Sequence, residues 1–99
     1  MNLVKEEKKI VFKNPYKFEG AEYKEVNLNG LDSLSTSDLI DADAQYSTMG
    51  QFSFMNELSL GYAIIVASKA SGKPVEFFEK LPATEGLKVK NVVMSFLNS

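Results

Sequence analysis

Ninety-nine residues, 44% of them apolar, make a single domain with enough apolar surface for one core; a chain of this size buries somewhat over ~60% of its unfolded surface. Cysteine and histidine are both absent, which excludes a disulfide framework, His/Cys zinc sites, Ser–His triads and Cys–His dyads within the chain. The net charge is −2 and every basic residue is lysine, so the usual bidentate reader of guanine is missing and no nucleic-acid partner is expected.

Residues 1–9 are rich in lysine and glutamate and read as a flexible N-terminal tail, leaving 10–99 as the single domain. Charges stand where a signal peptide needs its apolar stretch, and the expected location is the cytoplasm. Ile10, Phe12, Tyr16 and Phe18 then alternate with Lys9, Lys13, Lys17 and Glu19. Period two with one charged face predicts a half-buried strand. Pro15 lacks an amide donor, so this strand is an edge or bends at Asn14-Pro15. Gly20-Ala21 marks a turn, and Glu22–Leu28 returns with Tyr23, Val26 and Leu28. The apolar phase slips by one between Tyr23 and Val26, which predicts a bulge near Lys24-Glu25. A lone hairpin is marginal in water, so its apolar face must lie on helices or on a partner chain.

Asn29-Gly30 ends the hairpin, and Leu31–Leu34 form a turn with two apolar anchors. Ser35 with Asp38 three residues later is a near-version of the capping box. The helix it opens carries Leu39, Ala42, Tyr46 and Met49 at three- and four-residue steps, with Gly50 as its stop and Gln51–Phe54 as the link onward. Residues 54–71 form the longest apolar stretch and read as a central helix buried on several sides. Asn56, Glu57, Ser59, Ser68 and Lys69 interrupt it, so it is no membrane span. Gly61 inside it either permits a close helix crossing or is simply tolerated.

Ser71-Gly72-Lys73 closes the central helix, and Pro74 suits the first turn of a short one carrying Phe77, Phe78 and Leu81. Pro82 stops that helix. Thr84 is the expected cap of the last helix, whose stripe is Leu87, Val89, Val92, Val93, Phe96 and Leu97. The fold class is therefore α+β: an N-terminal β-hairpin followed by about four helices packed around a central apolar helix at 54–71.

Chemistry finds little to stand on. Residues 26–60 hold five acids (Asp32, Asp38, Asp41, Asp43, Glu57) and no base. Read as a calcium loop from Asp41, the segment places Tyr46 where glycine is required and Phe52 where the bidentate glutamate belongs, so it fails. Asp38 and Asp41 share a helix face that suits weak magnesium binding, but a solvated face is the better reading. A carboxylate pair for glycoside chemistry has no cleft to work in. Ser71-Gly72-Lys73 lacks the upstream glycine of a phosphate loop. No catalytic residue, cofactor or metal site is expected. Phe77-Phe78 and Phe96-Leu97 suit either a groove for a partner helix or core packing.

Taken whole, the chain resembles the small tail assembly chaperones of contractile-tailed phages and related prophage elements. The likeness runs over residues 10–97: a strand with Asn14-Pro15; Glu19-Gly20, Tyr23, Val26 and Leu28; then Leu34-Ser35-Thr36-Ser37-Asp38-Leu39. It continues through Tyr62-Ala63, Ala67-Ser68-Lys69-Ala70, Pro74, Phe77-Phe78, Leu81-Pro82 and Phe96-Leu97. The resemblance implies a non-enzymatic protein that keeps the tape-measure protein in solution, helps recruit tail-tube subunits around it and leaves before the tail is finished. Its partners would be the tape-measure protein and the tail-tube protein, with self-association left open. Candidate partner-binding residues are Tyr16, Phe18, Tyr23, Phe77, Phe78 and Phe96, with Tyr16, Tyr23 and Phe96 favoured as the exposed ones. The competing readings are a structural phage tail component, a small regulatory adaptor, and a metal-dependent enzyme resting only on the aspartates.

Overall fold

Alternation from Lys9 onward builds a ten-residue strand, β1 (Lys9–Phe18), which pairs antiparallel with β2 (Ala21–Asn27). A computed structural model describes residues 8–48 and 60–98 of the chain. The hairpin turns on Glu19 and Gly20, both with positive φ (49° and 82°). Positive φ at both central residues is the primed turn that matches strand twist; glycine adopts it freely, and Glu19 is held there by the two strands. Near the turn Tyr16 pairs Tyr23, and at the far end Ile10 pairs Val26. Between them the register shifts, so that Phe12 to Pro15 lie across from Lys24 alone. The extra residues of the bulge therefore belong to β1, opposite the predicted position. Pro15 has no N–H to give, so the ladder cannot run through it.

Among the described residues the hairpin is followed by a 3-10 helix (Asn29–Ser33) and four α-helices: α1 (Thr36–Thr48), α2 (Leu60–Ser71), α3 (Val75–Glu79) and α4 (Ala83–Leu97). The protein is α+β, a hairpin followed by helices. The start of α1 is a reciprocal capping box. Ser35 N–H and Oγ donate to Asp38 Oδ2 at 2.8 and 3.1 Å, and Asp38 N–H donates to Ser35 Oγ at 3.2 Å. These hydrogen bonds, backbone first, hold the Asp38 carboxyl below the usual carboxylate range. Ala42 and Tyr46 are buried and Leu39 half-buried, as the spacing predicts. Met49, Gly50, the link and the first turns of the predicted central helix, 54–59, lie outside the described residues, as does most of the N-terminal tail.

Six consecutive residues of α2, Tyr62 to Ala67, are buried. That happens only when a helix is covered nearly all round, and α2 is packed by the 3-10 helix, α1, α3 and α4. Tyr62 OH donates to the Leu39 carbonyl at 3.4 Å, tying α2 to α1. The close backbone approach is at Gly30, where a Cβ would stand 2.0 Å from the Ala70 carbonyl oxygen. The 3-10 helix can lie on the end of α2 only because this residue is glycine. Gly61 instead lines an open groove, described below. Gly72, at φ 77°, ends α2 with its N–H on the Ser68 carbonyl at 3.0 Å. Pro74 caps α3. Pro82, not Thr84, occupies the cap position of α4, and its carbonyl accepts from Glu85 and Gly86 N–H at 2.9 and 3.0 Å. Thr84 lies inside the first turn and is exposed. Among the described residues no helix is long and apolar enough to cross a membrane.

Candidate functional site

The neighbours Phe77 and Phe78 point into different parts of the molecule, and each defines one candidate surface. Phe77 is fully buried under the hairpin. Five rings surround it: Tyr23, Tyr16, Phe78, Phe18 and Phe12, with centroids 5.0 to 6.5 Å away. Four of these contacts are edge-on, the arrangement that the charge distribution of aromatic rings favours. Tyr16 OH donates to the Phe77 carbonyl at 2.7 Å, and burial pushes the Tyr16 phenol above its ordinary pKa. The Lys73 ammonium lies 4.8 Å from the Tyr23 ring and Lys80 6.0 Å from Phe18, so lysine stems roof the cluster.

This arrangement corrects the view of the hairpin aromatics as spare surface. Phe18, Phe77 and Phe78 are core residues. A two-stranded sheet can persist only with its apolar face covered, and α3 supplies the cover. Tyr16, Tyr23 and Phe96 are half-buried and packed against the core, so none is a freely exposed ring. The apolar stripe of α4 holds for Val89 and Val93, which are buried, and Leu87 turns outward instead.

Phe78 lies at a groove where α2, α3 and α4 meet. The groove has a volume of about 480 Å³ and is lined mainly by Leu60, Gly61, Ile64, Phe78, Leu81 and Gly86. Leu60 (42% exposed) lines it, and Leu87 (49%) follows Gly86 on α4. Among the described residues the other large exposed apolar side chains are Val11 and Ile40. Among the described residues Glu79 is the one titratable group lining the groove, and the rest of the lining offers apolar contact.

One buried carboxylate went unread in the sequence. Glu85, in the first turn of α4, is 4% exposed. Its Oε2 accepts the Lys13 backbone N–H at 2.7 Å, and its Oε1 is 3.0 Å from Lys88 Nζ. That hydrogen bond, then the Lys88 ammonium, hold the Glu85 carboxyl below the ordinary range against the opposing effect of burial. Lys88 Nζ also stands 3.5 Å from the Val11 carbonyl. Glu85 and Lys88 thus satisfy backbone groups on the outer edge of β1. Glutamate early in a helix usually signals only a favourable dipole position, so nothing local announced this long-range contact.

Among the described residues no group of three or more carboxylates is arranged to hold a metal ion. Asp38 is engaged in its capping box, and Asp41 and Asp43 are exposed on α1. No family model, curated protein or solved structure matches this chain.

Proposed function

We propose that this chain is a phage tail assembly chaperone, a non-enzymatic protein of the bacterial host cytoplasm. It holds the tape-measure protein, helps recruit tail-tube subunits, and is absent from the finished tail. The observation that carries this reading is the groove between α2, α3 and α4, apolar at its floor, with the exposed Leu60 in its lining and the exposed Leu87 next to Gly86 on α4. Such a groove suits the apolar face of an amphipathic helix. A single engagement is weak, but many along a long helical client accumulate through multivalency. The resemblance over residues 10–97 supports the same reading. A structural tail component is the alternative; a tube subunit would call for more strands than the single two-stranded sheet among the described residues.

Co-expression with the tape-measure protein of the same genome tests the proposal. The expected outcome is co-purification, together with loss of tape-measure solubility when this chain is omitted. A tape-measure protein equally soluble alone, with no association, would overturn it.

A further inference from the structure

The two edges of the hairpin are treated differently. Along β1, Glu85 and Lys88 of α4 engage the Lys13 N–H and the Val11 carbonyl, and Pro15 interrupts the strand. These are the devices by which proteins blunt an edge. Among the described residues no helix runs along β2, and its polar residues Glu22, Lys24, Glu25 and Asn27 are all exposed.

The backbone direction along β2 follows from its pairing. Leu28 N–H bonds the Lys8 carbonyl, so Leu28 and Val26 face β1 while Asn27 turns its N–H and C=O outward and Glu25 its carbonyl. At the turn end Phe18–Ala21 and Tyr16–Tyr23 face each other, so Glu22 turns outward, and the Lys24 N–H after Tyr23 does the same. Among the described residues no hydrogen bond from outside the hairpin ladder reaches the outward backbone groups of Glu22, Lys24 or Glu25.

The phase slip gives this open edge a symmetry. Around the Lys24–Glu25 bond the strand reads polar–apolar–polar in both directions: Glu22-Tyr23-Lys24 and Glu25-Val26-Asn27. Tyr23 and Val26 are the inward residues of the two halves. A regular strand paired with itself about a point between residues would bring opposite faces together. The slip removes that conflict. We propose that β2 is the dimerisation edge of this protein. It pairs antiparallel with β2 of a second copy about the Lys24–Glu25 bond, making a four-stranded sheet with the clasped β1 strands outside. In that register Lys24 meets Glu25 of the other copy twice, Tyr23 meets Val26 twice, and Glu22 meets Asn27 twice. Both charged pairs are opposite in sign, Glu22 and Asn27 exchange their outward N–H and C=O groups, and each Lys24 N–H donates to the Glu25 carbonyl of the other copy. The proposal is independent of the chaperone reading.

Sedimentation equilibrium of the full chain, with two charge variants, tests it. The wild type is expected to show a reversible monomer–dimer equilibrium. Lys24→Glu and Glu25→Lys each place like charges opposite one another and should each weaken the dimer about tenfold. Mixing the two variants in equal amounts restores both attractive pairs, so the mixture should dimerise as the wild type does. In the same wild-type samples, amide hydrogen exchange at Glu22, Lys24 and Asn27 should slow as concentration rises; this readout needs no variant to fold. A wild type that stays monomeric, a dimer indifferent to both variants, a mixture no tighter than its parts, or unchanged exchange along β2 would overturn the proposal.

Discussion

Two adjacent phenylalanines on α3 look into two kinds of apolar environment. Phe77 sits in a closed cluster, ringed by five aromatic side chains and roofed by Lys73 and Lys80. Phe78 is as deeply buried, but it forms part of a groove that opens between Leu60 and Gly86. The same residue type in the same helix is thus committed to stability on one side and to an accessible apolar surface on the other. Aromatic content alone cannot separate the two roles. What separates them is whether another element covers the ring, and on the Phe77 side that element is the hairpin.

The most direct way to break the closed side is Phe77→Ala. Removing a fully buried ring on which five others pack should cost about 3–5 kcal/mol, read as a lower midpoint in urea. The hairpin should lose its amide protection along with it. A loss below about 1 kcal/mol would mean that the cluster is loosely packed.

Glu85 is the next largest. Glu85→Gln removes the charge from a buried, hydrogen-bonded carboxylate and should cost about 1–2 kcal/mol at neutral pH. Because the folded-state pKa is lowered, this stabilisation is fully present above the unfolded carboxylate value and is lost as falling pH protonates Glu85. Acid titration of stability should therefore be flatter in Glu85→Gln than in the wild type. Parallel curves would remove Glu85 from the account of the β1 edge.

Smaller effects sharpen the contrast. Glu19→Asn replaces a residue held at positive φ with one that tolerates it, and should raise stability by about 0.5–1 kcal/mol. Leu87→Glu, on the open side, should change stability by less than about 0.5 kcal/mol. A surface meant to stay accessible loses little when it becomes polar. A large destabilisation would show that Leu87 belongs to the core after all.

Much of the fold was legible in local signals. The Ser35/Asp38 capping box, Gly72 at the end of α2, Pro74 before α3 and the apolar run of α2 each act within a few residues, and each stands where its local chemistry puts it. The features that went unread share another cause. Glu85 is defined by Lys13, 72 residues away in sequence. Gly30 is required by Ala70, and Phe18 is buried by Phe77. Each depends on which distant element lies opposite, and neither periodicity nor spacing encodes that. The bulge lies between these cases. Its existence was visible in the phase slip of β2, but the extra residues went to β1 because Pro15 could not serve the ladder. The groove was not legible at all, since it is made by three helices whose approach is set by packing.

The most direct test of the central claim is capture of the tape-measure protein by this chain carrying Leu87→Glu, measured beside the wild type and beside Lys24→Glu. The expected result is strong loss of capture for Leu87→Glu, with an unchanged circular dichroism spectrum and undiminished capture by Lys24→Glu. Full capture by a folded Leu87→Glu chain would contradict the assignment of the groove as the client surface.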